Sequence, residues 1–162
     1  MFFEKELISK AAEILKILKE KQLKFAVAES CSGGLLSALF TEISGASEVF
    51  DCGFVTYSNK AKEKMLGVKS KTLNQFGAVS SEVAKEMALG ALKKSNSNIT
   101  LAITGIAGPN SDNTKKPVGL VYIAIAKSFE NFEVKQFNFS GNRSKIRAES
   151  LIAAINLLSQ NA

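Results

Sequence analysis

Lys24-Phe25-Ala26-Val27-Ala28-Glu29-Ser30-Cys31-Ser32-Gly33-Gly34 passes from an apolar run straight into a pair of glycines. Consecutive apolar residues from Phe25 to Ala28 suit a strand covered on both faces, as in the sheet of an α/β protein, and the strand is expected over Lys24 to Ala28. The glycines permit a tight turn, and Leu35 to Ile43 follows as a small-residue helix ending near Ser44-Gly45. Strand, glycine turn and helix in that order would leave the backbone N–H groups of Ser32, Gly33 and Gly34 unpaired and directed outward at a helix start. Such a cradle serves an oxyanion or a phosphate. On spacing alone, the two glycines fit a plain tight turn with close helix packing equally well.

Outward from this turn the pattern repeats. Phe3 to about Lys21 carries Leu7, Ala11, Ile14, Leu15 and Leu18 at helical spacing. Val49 to Thr56 reads as a second strand, Tyr57-Ser58-Asn59 as a turn and helix cap, and Lys60 to Leu66 as a short helix closed by Gly67. Ser80 caps a helix that runs through Lys94, with Glu82 in its first turn. Ile99 to Thr104 is a third strand, and Gly105 to Pro117 a loop rich in Gly, Pro, Asn and Asp. Val118 to Ala126 and Glu133 to Phe139 are two more strands. Their polar link, Lys127 to Asn131, is too short for a helical crossover, so the two pair antiparallel. A last helix covers about Arg143 to Gln160. The expected fold is a three-layer α/β/α sandwich around a mixed, mostly parallel sheet with a C-terminal antiparallel hairpin, in a single domain over residues 1–162.

Composition narrows the chemistry. The chain has 162 residues, 46% hydrophobic, enough for a substantial core. No apolar run approaches the roughly 18 residues of a membrane span. Met1-Phe2-Phe3-Glu4-Lys5 leads into a charged amphipathic pattern rather than a signal peptide, so a cytoplasmic protein without membrane contact is expected. The net charge is +6. Its lysines are interleaved with glutamates along helices and form no aromatic-basic stripe, which argues against nucleic acid as a partner. Cys31 and Cys52 lack the CxxC spacing of a zinc site, and the chain has no histidine, so neither a disulfide framework nor a transition-metal site is expected. No cofactor is expected either.

The lack of histidine also removes the usual base for an activated nucleophile. If Ser30 attacks a substrate, a lysine must take its proton, and Lys62 stands just past the second strand. An ordinary lysine is almost wholly protonated at neutrality, so Lys62 must be desolvated or placed among other cations; Lys60 and Lys64 flank it. The Tyr57 hydroxyl could relay a proton or hold the lysine in line. Each residue also has a plainer reading: Lys62 as surface charge, Tyr57 as half-buried packing. Cys31 reads as buried filler rather than a rival nucleophile. Thr104-Gly105-Ile106-Ala107-Gly108-Pro109 ends a strand with glycines that allow close backbone approach to a ligand, at the usual place in an open α/β sheet, and that fit a simple turn equally well. Arg143 at a helix start is poorly matched to the dipole; an anion such as phosphate would explain it, and an ordinary exposed arginine fits equally well.

Ala28 to Gly34, Gly53 to Lys62, Gly77-Ala78-Val79-Ser80, Thr104 to Pro109, Lys116-Pro117-Val118-Gly119 and Gly141-Asn142-Arg143 together resemble, in order over nearly the whole chain, the CinA C-terminal domain family, also known as nicotinamide-nucleotide amidohydrolases. The resemblance implies hydrolysis of the carboxamide of nicotinamide mononucleotide to nicotinate mononucleotide and ammonia, without a metal, in pyridine nucleotide recycling. It puts the nucleophile on Ser30, the family's tyrosine and lysine on Tyr57 and Lys62, and the arginine for the substrate phosphate on Arg143. Larger members carry a further N-terminal domain, and the stand-alone form is expected here.

The remaining candidate contacts are Ser32, Gly33, Gly34, Thr104, Gly105, Ala107 and Gly108. A homo-oligomer is expected, which leaves room for a site shared between subunits. Ser32 stands where the family often has Thr, Lys60 where it usually has Glu, and Asn142 where it has Asp. Asn110-Ser111-Asp112-Asn113 lacks the family's paired glycines. Loss of two acids near the site leaves open a non-catalytic nucleotide-binding or interaction protein.

Overall fold

The structure, a computed structural model, describes residues 3–111 and 113–162; Met1, Phe2 and Asp112 lie outside the described residues. Strands Phe25–Glu29 (β1), Phe50–Val55 (β2), Ile99–Gly105 (β3), Leu120–Ala126 (β4) and Phe132–Asn138 (β5) form one sheet in the order β2-β1-β3-β4-β5. β1 is parallel to both β2 and β3, whereas β4 is antiparallel to β3 and to β5. Four strands therefore run one way and β4 alone opposes them. The hairpin of β4 and β5 is closed by Lys127 N–H donating to the Asn131 carbonyl at 2.9 Å.

Helices cover both faces, as the consecutive apolar residues of β1 require: all five of its residues are buried. Lys5–Glu20 (α1), Leu35–Thr41 (α2) and Arg143–Asn161 (α6) lie on one face, over Phe25, Val27, Leu101, Ile103, Val121 and Ile123. On the other face Ser81–Lys94 (α5) lies over Ala28, Ala102, Ala124 and Ala126, whose small side chains let the helix approach the sheet. The rings of Phe25 and Phe40 meet edge-on with centroids 4.7 Å apart, and Phe25 to Phe50 is 5.1 Å, which ties α2 to β1 and β2. Burying one such ring stabilises the fold by about 1.5–3 kcal/mol.

Several elements differ from expectation, among them β4, which begins two residues later than expected, at Leu120. α2 stops at Thr41, two residues short, where the Glu42 N–H closes on the Ala38 carbonyl. The expected helix after Tyr57 begins as one turn, Asn59–Ala61 (α3), capped by Ser58 Oγ accepting from the Ala61 N–H at 3.1 Å. It then widens into a π-helical turn, Lys62–Leu66, that ends at Gly67 with φ +71°. A seven-residue helix, Ser70–Phe76 (α4), was not expected, because Leu73 is its only buried residue and leaves almost no apolar period to detect.

Candidate functional site

β1, β2 and β3 are neighbours in one direction, so their carboxyl ends gather Ser30, the Thr56-Tyr57 segment and Thr104-Gly105 at one edge. In an open α/β sheet this edge is where ligands bind. A cleft of about 350 Å³ opens there, with Ser30, Cys31 and Lys62 on its lining together with Tyr57, Asn59, Thr104, Gly105, Ala107, Thr114 and Arg143; Gly77, Ala78 and Val79 complete the wall.

At its floor Lys62 is 1% exposed, with Nζ 2.9 Å from Ser30 Oγ, 2.8 Å from the Thr56 carbonyl and 3.4 Å from the Tyr57 carbonyl. The π-helical turn places Lys62 there by carrying its side chain back across the end of β2, and such turns recur at functional sites. Burial lowers the Lys62 pKa from 10.5 to about 8. No cation contributes: Lys60 and Lys64 are both exposed. An uncharged amine has two N–H donors and one lone pair. Donation to the two carbonyls leaves the lone pair for the Ser30 hydroxyl.

Cys31 is buried, and burial pushes its thiol up to about 11 against the lowering effect of the Cys31 and Ser32 amides. It is therefore a neutral thiol at neutral pH, in keeping with filler.

The cradle after Ser30 is not built as expected. Gly33 N–H donates to the Ser30 carbonyl at 3.0 Å, and Gly34 N–H to the Glu29 carboxylate at 3.0 Å. Glu29, 0% exposed, also accepts from the Leu36 N–H (3.1 Å), the Ser37 N–H (2.8 Å) and the Ser37 hydroxyl (2.7 Å). A carboxylate of the chain itself thus occupies the N-terminus of α2, where a ligand's anion was expected, and satisfies its orphan donors. Neither glycine amide is free, and Gly33, Gly34, Ser32 and Gly108 do not line the cleft. The amides of Cys31 and Ser32 donate to no backbone carbonyl among the described residues. The two glycines are required by conformation, with φ +63° and +93°.

Tyr57 is 63% exposed, and its hydroxyl accepts from Arg143 Nη2 at 3.2 Å rather than reaching Ser30 or Lys62. Arg143 Nη1 donates to the Gly108 carbonyl at 2.9 Å, which holds the guanidinium at the cleft mouth. Thr104 Oγ1 donates to the Ala78 carbonyl at 2.8 Å and so joins two walls of the cleft.

Two of the expected departures lie clear of the chemistry. Lys60 is exposed and lines no part of the cleft. Asn142 caps α6 through Oδ1, which accepts from the Lys145 N–H at 3.0 Å, a task that Asn and Asp perform alike. Glu29 and Arg147 escaped notice in the sequence. A charged residue at the end of an otherwise apolar strand was the signal for the first, and i, i+4 spacing from Arg143 on α6 the signal for the second. No described helix is long and apolar enough to cross a membrane.

Fold and site together define a three-layer α/β protein with a serine and a buried lysine at the carboxyl ends of neighbouring parallel strands. The chain belongs to the CinA C-terminal domain family, whose model matches residues 7–162. It is 52% identical over 145 residues to a putative competence-damage inducible protein of Caldicellulosiruptor bescii, covering 90% of this chain and 35% of that protein. It is 48% identical over 158 residues to a CinA-like protein of Endomicrobium trichonymphae, covering 96% and 36%. The chain thus spans about a third of the length of these curated relatives. Among solved structures, the competence/damage inducible protein CihA from Agrobacterium tumefaciens superposes with a TM-score of 0.94 at 40% identity, covering 99% of this chain and 98% of that one.

Proposed function

We propose that this chain is an amidohydrolase that converts nicotinamide mononucleotide to nicotinate mononucleotide and ammonia, with Ser30 as nucleophile and Lys62 as base. The observation that carries the proposal is the 2.9 Å contact between Ser30 Oγ and the Nζ of a buried lysine whose pKa is near 8. With that value about a tenth of Lys62 is uncharged at pH 7, against less than a thousandth for an ordinary lysine.

The neutral amine takes the Ser30 proton as Oγ forms a bond to the carboxamide carbon. The amides of Cys31 and Ser32, which donate to no backbone carbonyl among the described residues, are the donors this reading assigns to the oxygen that becomes negative. The Lys62 ammonium gives its proton to the leaving nitrogen, the C–N bond breaks and ammonia departs. Water then adds to the ester with Lys62 again accepting a proton, and return of that proton to Ser30 Oγ releases the carboxylic acid. Arg143 at the mouth carries the charge to receive the substrate phosphate.

The test is ammonia release from nicotinamide mononucleotide by the wild type, Ser30→Ala and Lys62→Ala. Both variants should lose activity by roughly 10³-fold or more if the pair acts as a unit. Retention of more than about a tenth by either variant excludes the assignment. A wild type that binds the nucleotide without releasing ammonia is instead a non-catalytic binding protein.

A further inference from the structure

Arg147 is a half-buried cation that lacks the partner such a group usually has. Its Nη2 donates to the Ser32 carbonyl at 2.8 Å, its Nε is buried with no hydrogen-bond partner, and no carboxylate lies within ion-pair distance among the described residues. A guanidinium used only for stability would be paired or left in water, because burying an uncompensated charge is costly. The bond it makes among the described residues falls on the Ser32–Gly33 peptide, and the N–H of that same peptide donates to the Ser30 carbonyl at 3.0 Å. The Ser30 N–H in turn donates to the Ile103 carbonyl in β3 at 2.9 Å. Guanidinium, peptide and Ser30 carbonyl form one chain of polarised hydrogen bonds.

We propose that Arg147 is a positioning residue: from α6 it holds the Ser32–Gly33 peptide and so fixes the Ser30 backbone, and with it the Cys31 and Ser32 amides, in the geometry needed for attack. The inference rests on the proposed amidohydrolase activity. It also accounts for a detail of packing, since a Cβ on Gly33 would stand 3.3 Å from Arg147 Nη2, at the seat the guanidinium needs. Glu29 anchors the turn from the other side through the Gly34 amide. The nucleophile's turn is therefore held by an anion on its amides and a cation on its carbonyl.

The experiment compares the wild type with Arg147→Met and Arg147→Ala in two measurements: steady-state ammonia release from nicotinamide mononucleotide, and amide hydrogen exchange. kcat should fall by about 100-fold in both variants with KM changed by less than about threefold, because the residue acts on the attacking geometry and does not line the cleft. Guanidinium at millimolar concentration should restore about tenfold of the loss in Arg147→Ala but not in Arg147→Met, whose side chain fills the seat. The Gly33 amide should exchange at least about tenfold faster in both, while the amides of Leu101 and Ile103 in β3 keep the wild-type rate.

Unchanged exchange at Gly33 overturns the inference whatever the activity does. So does an undiminished kcat, and so does equal acceleration across β3, which would make Arg147 a residue of general stability. If the wild type itself releases no ammonia, the proposed function fails, and the exchange measurement alone decides whether Arg147 holds the turn.

Discussion

Lys62 Nζ and Ser30 Oγ stand 2.9 Å apart with the lysine 1% exposed, although 32 residues separate them in sequence. Burial brings the pKa of this amine toward neutrality, to about 8, while it raises the neighbouring Cys31 thiol to about 11, and the chain has no histidine. Since only the uncharged amine accepts the proton, kcat/KM should rise about tenfold per pH unit below 8 and level off above it. Rates measured from about pH 6.5 to 9.5 stay above the titration of the substrate phosphate near 6. A profile that is flat across that interval would remove Lys62 from the role of base.

The same burial bears on stability. Between pH 8 and 10.5 the unfolded chain binds a proton at Lys62 that the folded chain does not, so stability climbs with pH through that window. Below pH 8 both states carry the proton, and the folded state bears the full cost of the buried ammonium, ~3 kcal/mol at about 1.36 kcal/mol per pH unit. Lys62→Met keeps the length of the side chain and removes the charge. After its three hydrogen bonds are lost, the variant should still be about 1–2 kcal/mol more stable than the wild type at pH 7, an advantage that shrinks as the pH rises past 8 and becomes a deficit of about 1–2 kcal/mol by pH 10.5. Urea unfolding at pH 7, 9 and 10.5 checks this. A difference that does not change with pH would mean that the amine is not held at a depressed pKa.

Tyr57 separates two roles that its place in the chain left open. Its hydroxyl bonds Arg143 at the cleft mouth and not the Ser30–Lys62 pair. Tyr57→Phe should therefore raise KM by about 3–10-fold, through a looser Arg143, and keep at least about a third of kcat. A proton relay through the phenol would instead cost kcat about 100-fold with little change in KM, and steady-state kinetics distinguishes these outcomes.

The parts of this molecule that were legible in sequence are those specified by local patterns. The unbroken apolar run Phe25–Ala28 required helices on both faces, and the five-residue link from Lys127 to Asn131 required an antiparallel hairpin. Ser30 and Lys62 could be paired because the chain has no histidine to act as base and each residue stands just past a strand; that the two strands are parallel neighbours came only with the fold. What stayed hidden depends on where long polar side chains go once packed. Glu29 ends a buried strand and could have pointed anywhere until α2 presented its amides. Tyr57 swings to Arg143, 86 residues away. The expected anion cradle of Gly33 and Gly34 failed for the same reason, since the chain filled its own helix terminus.

Gly90 joins packing to the site in a way that reverses an ordinary expectation. It lies in the interior of α5 and is buried. In an exposed helix, Gly→Ala stabilises by about 1 kcal/mol. Here a Cβ would stand 2.0 Å from the Leu66 carbonyl oxygen and 2.9 Å from its carbon. Both atoms are backbone, in the π-helical turn that begins with Lys62, so the turn or the helix must move. Overpacking of this kind costs about 1–3 kcal/mol. Gly90→Ala should therefore lower stability in urea unfolding by about 1–2 kcal/mol in spite of its helix propensity. A displacement of about 1 Å at Leu66, four residues from the proposed base Lys62, should also reduce kcat by about 10–100-fold as Nζ draws away from Ser30. A variant as stable and as active as the wild type would show that the contact between α5 and the turn does not determine where Lys62 sits.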